Sequence, residues 1–284
     1  MHYRIIGDFR VSAIGLGAMP MSIEGRPDED QSIRTIHAAL DAGIRLIDTA
    51  NSYHLFAGEV GHNERLIAKA LGSWSGDKST VLVATKGGHL RPGDGRWTQN
   101  GDPAYLKEAA KQSAKDLGVE SIGLYYYHRP DPKVPYADSI QALVELLKEG
   151  VIQRAGISNA SIEQIHLAQD MLGAHLVAVE NQYAPNHRST GDTLAECGKL
   201  GIAFVPWSPL GGIGSAKILG RTFTAFEQVA EAHQVSAQQV ALAWELAKGS
   251  HVIPIPGASR PESIVDSAQA SDLTLTDEDL ALLG

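Results

Sequence analysis

Four polar side chains in this sequence stand at or just beyond the ends of apolar segments, where they are able to exchange a proton. Asp48, Lys86 and His128 each close or follow a separate apolar run, and Tyr53 comes five residues after Asp48. A phenol has a reference pKa of about 10, and a neighbouring ammonium stabilises the phenolate and lowers that pKa. If the runs are neighbouring parallel strands, the four groups meet at one edge of the sheet. The set then predicts a site that protonates an oxygen on which negative charge develops.

The roles expected of these side chains follow from their charges. Tyr53 is the proton donor, and Asp48 keeps Lys86 charged and fixed beside it. His128 is expected to hydrogen-bond the oxygen of a substrate carbonyl group and to orient it. No serine or cysteine nucleophile motif accompanies them, so a cofactor that supplies hydride to the carbonyl carbon is implied. Taken singly, each residue has an equally good structural interpretation as a turn cap, a surface aromatic, a solvated strand end or a structural histidine.

Strand-like and helix-like segments alternate along the chain and predict the scaffold that positions these groups. A hairpin is predicted over residues 3–12, with Gly7 and Asp8 at its turn. Eight strand-like runs follow at residues 13–15, 46–48, 81–85, 122–127, 153–157, 176–179, 203–205 and 252–255. Strands separated by helical crossovers favour an α/β fold, and eight of them favour a closed (β/α)₈ TIM barrel over an open doubly wound sheet. We expect residues 1–284 to form a single domain, with a last barrel helix at 259–268 and an extra C-terminal helix at 276–283.

Composition limits the classes of partner. The formal net charge of −9 disfavours binding to nucleic acid. The single cysteine, Cys197, excludes an intrachain disulfide and fits a reducing compartment. No signal peptide opens the sequence and no apolar run approaches the length needed to span a membrane, so a cytoplasmic protein without a membrane partner is expected. The sequence does not reveal an oligomeric state, and a monomer is the expectation.

Six short motifs, in the same order along the chain, resemble those of the bacterial aldo-keto reductases. They are residues 47–53, 84–86, 127–131, 156–159, 180–183 and 206–210. The resemblance implies a (β/α)₈ barrel that uses NADPH to reduce an aldehyde or ketone to the alcohol, reversibly. It implies that Tyr53 is the general acid, that Lys86 and Asp48 lower its pKa, and that His128 orients the substrate.

The same resemblance implies where the cofactor binds. Ser158, Asn159 and Gln182 stand where the family holds the nicotinamide carboxamide, and their hydroxyl and amide groups suit both ends of an amide. Trp207 stands where an aromatic ring stacks on the nicotinamide, although a core tryptophan is a competing interpretation. The remaining contacts are expected at the barrel mouth and along the pyrophosphate, at Gly17, Ala18, Met19, Asp48, Ser208, Leu210 and Gly211.

Recognition of the adenosine 2′-phosphate is expected at Ser259 and Arg260. They directly precede Pro261, which suits the first turn of a helix, and helix N-termini attract anions. Arg260 as a solvated surface charge is an equal alternative. Four further expected contacts carry residues that depart from the usual pattern of the family: Gly257, Ser263, Asp266 and Ser267. NADPH is therefore the expected cofactor, and NADH is not excluded.

The substrate pocket is expected to include Tyr53 and His128, together with His54, His89 and Trp97. Trp97 belongs to the long loop at residues 89–102, and an aromatic side chain there is able to cover an apolar substrate. The substrate is expected to be a small carbonyl compound whose identity the sequence does not reveal. Two alternatives remain: a nucleotide-binding redox sensor or regulatory subunit with little turnover, and a metal-dependent hydrolase barrel. No metal is expected, because the histidines lack the spacing of a metal site.

Overall fold

The structure, a computed structural model, describes residues 1–284 and contains eleven strands and twelve α-helices. The strands are β1 (Tyr3–Ile6), β2 (Phe9–Ser12), β3 (Leu16–Gly17), β4 (Leu46–Asp48), β5 (Leu82–Gly87), β6 (His89–Leu90), β7 (Thr98–Gln99), β8 (Leu124–Tyr127), β9 (Ala155–Ser158), β10 (Leu176–Glu180) and β11 (Ala203–Phe204). The helices are α1 (Glu29–Asp41), α2 (His62–Ser73), α3 (Pro103–Leu117), α4 (Tyr136–Lys148), α5 (Ile162–Leu172), α6 (Gly191–Leu200), α7 (Ile213–Ala216), α8 (Leu219–Thr222), α9 (Thr224–His233), α10 (Ala237–Leu246), α11 (Pro261–Gln269) and α12 (Asp277–Leu283).

Seven strands form one parallel sheet in the order β3-β4-β5-β8-β9-β10-β11. The connections between neighbours carry helices, as parallel strands require. The predicted hairpin is present as the antiparallel pair β1–β2, and a second small antiparallel pair, β6–β7, forms within the long loop. The predicted (β/α)₈ fold with an N-terminal hairpin and extra C-terminal helices is confirmed.

The first and eighth predicted strands differ from expectation. Residues 13–15 are not a strand of the sheet; the first strand is Leu16–Gly17, and Gly15 N donates instead to Pro254 O at 2.9 Å. Residues 252–255 form isolated bridges to β11 and to Trp207, and residue 257 bridges to β3, so this segment closes the ring without a continuous ladder. The reason is that Pro254 and Pro256 have no backbone N–H to donate.

Several helix boundaries follow capping residues that are visible in the sequence. The Asp102 side chain accepts a hydrogen bond from Tyr105 N at the start of α3, and Gly118 ends that helix with a φ of +69°. Ser161 and Gln164 form a capping box at the start of α5, in which each side chain accepts a hydrogen bond from the backbone N–H of the other residue. The caps at Asp102 and Ser161 therefore fix where two helices begin after the loops that follow β7 and β9.

Side chains alternate along the strands between the barrel interior and the helix layer. One set of 13 buried residues includes Leu46, Ala84, Leu124 and Tyr126, whereas their chain neighbours join a larger core of 53 buried residues. Successive residues of a strand point to opposite faces, so these apolar residues show which positions of each strand face the barrel interior. The residues two steps further along β4, β5, β8 and β10 are therefore inward as well.

The N-terminal hairpin contributes to the interior core. Ile6 and Val11 are fully buried in the same set of 13 residues as the inward strand side chains, while Ile5 is 56% exposed. The hairpin thus covers the end of the barrel opposite the carboxyl ends of the strands. No helix of the structure is both long enough and apolar enough to cross a membrane.

This arrangement predicts unequal effects for two adjacent isoleucines of β1. Ile6→Ala removes a fully buried side chain and is expected to lower the free energy of unfolding by about 2–5 kcal/mol. Ile5→Ala changes an exposed side chain and is expected to stay within about 0.5 kcal/mol of the parent. Urea denaturation of both variants measures the difference, and equal effects would contradict a hairpin packed into the barrel.

Candidate active site

The inward layer at the carboxyl ends of the strands is polar. Asp48 ends β4, Lys86 lies near the end of β5, His128 directly follows β8 and Glu180 ends β10. All four are at least 93% buried. They continue the inward parity of the apolar layer below them, so the alternation of the strands brings them together. Tyr53 joins them from the loop after β4 and is also buried.

The ammonium of Lys86 is the centre of this layer. Its Nζ donates to Asp48 Oδ1, to Thr49 O at 2.9 Å and to Tyr53 Oη at 3.4 Å. The same atom lies 3.3 Å from Glu180 Oε2. One buried cation is thus shared by two carboxyl groups, a backbone carbonyl and a phenol, and the carboxyl groups compensate the cost of burying its charge.

Tyr53 and His128 form the pair that faces the space above the layer. Their ring centroids are 5.9 Å apart and their planes are nearly perpendicular. The Nδ1 atom of His128 is buried and has no hydrogen-bond partner within the protein. A hydroxyl and an imidazole that share one opening are able to bind a single oxygen atom of a ligand together.

Burial sets the protonation state of Tyr53. It raises the pKa of the phenol above its ordinary value, and although Lys86 opposes the rise, Asp48 and Glu180 add to it. Lys86 thus lowers the pKa of Tyr53 in the predicted direction, whereas Asp48 acts in the opposite direction, and the loss of hydration on burial outweighs the ammonium. Tyr53 carries its proton at neutral pH, which is the state that a proton donor needs.

Burial and neighbouring charges also shift the pKa values of Lys86 and His128. Burial disfavours the ammonium of Lys86, but Asp48 and Glu180 outweigh burial and raise its pKa. Burial, reinforced by the charge of Lys86, lowers the pKa of His128 well below its ordinary value. The imidazole is consequently neutral at neutral pH and offers one donor and one acceptor.

A cavity of about 540 Å³ opens above these groups. It is large enough for a small ligand. The predicted residues that line it are Gly17, Met19, Asp48, Tyr53, His89, Trp97, His128, Ser158, Asn159, Trp207, Ser208, Leu210 and Gly257. Residues from strands and loops that are distant in sequence therefore meet at one opening, as the resemblance implies.

Comparison with known proteins supports this geometry. The family model for the aldo/keto reductase family matches residues 13–283. This chain belongs to the aldo/keto reductase family. Among curated relatives, it is 33% identical over 282 residues to an uncharacterized oxidoreductase of Schizosaccharomyces pombe (98% of this chain, 87% of the relative). It is 31% identical over 300 residues to a probable aldo-keto reductase of Glycine max (96% and 84%).

Solved structures agree with the family. A glycerol dehydrogenase of Gluconobacter oxydans matches with a TM-score of 0.83 and 28% identity, covering 99% of this chain and 93% of that one. An aldo/keto reductase of Klebsiella pneumoniae, solved with NADP and acetate, matches with a TM-score of 0.81 and 26% identity (96% and 90%). This aldo-keto reductase is accordingly an oxidoreductase, and its family uses NADP(H).

Three residues predicted to contact the nicotinamide, and Ser208, lie at the wall of the cavity. Asn159 and Ser208 adopt φ values of +57° and +50°, an uncommon conformation that turns the backbone at the cavity. The Nδ2 atom of Asn159 donates to Ser158 Oγ at 2.9 Å and to His128 O at 3.1 Å, which fixes its amide beside the imidazole. Trp207 lines the cavity, and its buried Nε1 has no protein partner.

Other predicted cofactor and pocket residues lie outside the cavity lining. His54 is buried behind the cavity, where Arg91 Nη1 donates to its carbonyl oxygen at 2.6 Å. The carboxylate of Asp266 accepts from Ser236 and from Gln239, both at 2.7 Å, so it is bound to α10. The remaining predicted residues outside the lining are Ala18, Gln182, Gly211, Ser259, Arg260, Ser263 and Ser267.

Glu180 is the member of the buried charged cluster around Lys86 that sequence reasoning missed. Gln182, two residues later, is partly exposed and outside the lining, whereas the Glu180 side chain lines the cavity. Burial and the nearby Asp48 raise the pKa of Glu180 well above its ordinary value. The parity of β10 was the available signal, since Glu180 follows the inward Ala178 by two positions.

The raised pKa of Glu180 predicts how stability depends on pH. A carboxyl group that binds its proton more tightly in the folded state destabilises the fold as pH rises above its unfolded pKa of about 4.3. Glu180→Gln removes this titration. The stability of the variant relative to the parent is therefore expected to increase between about pH 5 and pH 8, by up to about 1.4 kcal/mol per pH unit.

A matched control is available on the surface. The ammonium of Lys107 holds the pKa of the exposed Glu145 below its ordinary value, so Glu145→Gln is expected to add no slope over the same pH window. Urea midpoints measured at several pH values compare the three proteins. A Glu180→Gln curve parallel to that of the parent would mean that Glu180 is already ionised in the folded state at pH 5.

Proposed function

We propose that this protein uses NADPH to reduce an aldehyde or ketone to the corresponding alcohol, with Tyr53 as the general acid. The proposal is carried by one observation: the Tyr53 hydroxyl opens onto the cavity while lying 3.4 Å from the Lys86 ammonium. A protonated phenol beside a buried cation is suited to protonate an oxygen that becomes negative, because the cation stabilises the phenolate that forms.

Each side chain then has a definite task. The carbonyl oxygen of the substrate binds between the hydroxyl of Tyr53 and the ring of His128. When bound, the cofactor supplies the hydride for the carbonyl carbon. Tyr53 gives its proton to the oxygen, Lys86 stabilises the resulting phenolate, and Asp48 keeps Lys86 charged and in place. The neutral His128 holds the oxygen in position through a hydrogen bond.

The proposed cofactor site extends along the rim of the barrel. Ser158 and Asn159 hold the nicotinamide carboxamide, and Trp207 packs on the ring. Ser208 and Leu210, which line the cavity, would contact the pyrophosphate. The adenosine end would then lie near the first turn of α11. There Ser259 and Arg260 bind the adenosine 2′-phosphate. This last step is supported by the position of Arg260 directly before α11, where it donates to Ser263 Oγ at 3.2 Å.

We further propose that residues 1–284 act as one domain. The larger set of 53 buried residues runs from Ile14 to Leu283. A core that extends over nearly the whole chain, with the set of 13 residues inside the barrel beside it, is what one domain is expected to have. The C-terminal helix α12 belongs to this core through Leu283, and the carbonyl oxygen of Gly284 accepts a hydrogen bond from Trp244 Nε1 at 3.0 Å.

Tyr53→Phe is the variant that tests the general acid. It removes the donated proton and is expected to lower kcat by about 10²–10⁴-fold, the usual contribution of a positioned acid. Steady-state oxidation of NADPH with benzaldehyde gives kcat, and fluorescence titration gives the Kd of NADPH, which is expected to change little.

Tyr3→Phe is the matched control, since Tyr3 is exposed on the hairpin. Near-parental turnover by Tyr53→Phe would exclude Tyr53 as the acid. A parent protein that oxidises one equivalent of bound NADPH and then stops would instead favour the redox-sensor alternative.

Arg260→Ala tests the assignment of the 2′-phosphate. Loss of one phosphate contact is expected to reduce kcat/KM for NADPH by about ten-fold or more. The value for NADH, which lacks that phosphate, is expected to stay close to the parental value and so serves as the internal control. An unchanged ratio of the two kcat/KM values would place Arg260 among the solvated surface charges.

A further inference from the structure

One cation in the wall of the cavity has no acidic partner. The carboxylate of Glu24 is paired with Arg91, and Asp48 and Glu180 share Lys86. Arg129, the residue after His128, also lines the cavity, and no carboxylate lies within ion-pair distance of its guanidinium. In a protein with a net charge of −9, an uncompensated cation beside the proposed catalytic histidine needs an explanation.

The guanidinium of Arg129 uses few of its five donors. Nη2 donates to Asn159 Oδ1 at 3.2 Å, Nε is buried without a partner, and Nη1 makes no hydrogen bond within the protein. Burial lowers the pKa of Arg129, which means that the charged form has lost hydration without gaining an anion. An oxyanion in the cavity would restore that loss through charge-assisted hydrogen bonds.

His89, which also lines the cavity, does not share the positive charge of Arg129. Burial, together with Arg129 itself, lowers the pKa of His89 to about 4, so this imidazole is neutral at neutral pH. The ring of His89 stacks on Trp97 with centroids 4.7 Å apart. The cavity wall therefore includes a flat aromatic surface, on whose Trp97 ring lies Arg91, a cation already paired with Glu24, and such a surface suits the planar body of a small ligand.

We propose that the substrates of this enzyme carry a carboxylate, and that Arg129 binds it while the carbonyl group lies at Tyr53 and His128. The proposal rests on the proposed function and adds a substrate class to it. A guanidinium presents paired N–H groups that match the two oxygens of a carboxylate. Arg129 and His128 also line the same cavity, so one small ligand is able to reach both.

The decisive experiment compares 4-carboxybenzaldehyde with its neutral methyl ester, methyl 4-formylbenzoate. The ratio of their kcat/KM values is expected to exceed about ten in the parent enzyme, as one charge-assisted interaction implies. In Arg129→Gln the ratio is expected to fall towards one, and in Arg129→Lys to take an intermediate value. Because each ratio is measured on one protein, partial loss of folded enzyme does not alter it.

Arg96→Gln provides a matched control for the general electrostatic field. Arg96 is exposed in the same loop as Trp97, pairs with Asp94 and lies outside the cavity lining. Its loss is expected to leave the ratio at the parental value. An equal fall of the ratio in Arg96→Gln would show that the field, and not a contact with Arg129, selects the acid.

The diphosphate of the cofactor is the other source of an oxyanion near Arg129. Fluorescence titration of Arg129→Gln with NADPH separates the two: a large increase in the Kd of NADPH with an unchanged substrate ratio would overturn the proposal. A parental ratio near one would overturn it as well.

A binding assay without turnover keeps this test independent of the proposed reaction. Calorimetric titration of the NADP⁺-loaded protein with benzoate, and with neutral benzamide as the control, is expected to show binding of benzoate that weakens about ten-fold in Arg129→Gln. Absence of turnover by the parent would contradict the proposed function alone. Equal benzoate affinity in both proteins would contradict the role of Arg129 alone.

Discussion

The buried ammonium of Lys86 is the interaction on which the site depends. An isolated charge at this depth would cost several kcal/mol, and the structure compensates it with Asp48, Glu180 and the carbonyl oxygen of Thr49. These partners are drawn from two strands, β4 and β10, and from the loop after β4, so the complete set forms only when both strands are in place. The same ammonium lies 3.4 Å from the Tyr53 hydroxyl. The buried cation that the fold must compensate is therefore also the cation that would stabilise the phenolate in the proposed reaction.

In the mechanism we propose, the cluster is what lets a buried phenol serve as a proton donor. Burial keeps the proton on Tyr53 before reaction, and Lys86 is positioned to stabilise the phenolate once the proton has left. Burial alone would give a phenol too weak to give up its proton, and the ammonium alone would favour early ionisation. The balance of the two also involves Asp48 and Glu180, the carboxyl groups within ion-pair distance of Lys86, because burial raises the pKa of both and so disfavours two full negative charges beside one ammonium.

Much of this arrangement was predictable from sequence because strand parity carries it. Asp48, Lys86 and His128 stand at the ends of apolar runs, and parallel strands bring such ends together. The alternation of side chains along β10 indicates an inward Glu180 equally well. The family resemblance instead implies a role for Gln182. The direction of the Tyr53 pKa shift was not predictable, because it depends on how much water the fold excludes. The irregularity of the eighth strand was missed because its apolar residues are typical of a strand, although Pro254 and Pro256 interrupt its hydrogen-bond ladder.

The central claim is that Tyr53 is a protonated phenol whose ionisation Lys86 assists, and NMR titration of ¹³Cζ-labelled tyrosine tests it most directly. Tyr53→Phe assigns the resonance, and Lys86→Met removes the ammonium. The account predicts that the Tyr53 resonance of the parent does not titrate below about pH 10, the ordinary value of a tyrosine, and that Lys86→Met shifts any ionisation to still higher pH. A Tyr53 resonance that titrates near neutral pH, or one that is unaffected by Lys86→Met, would contradict it.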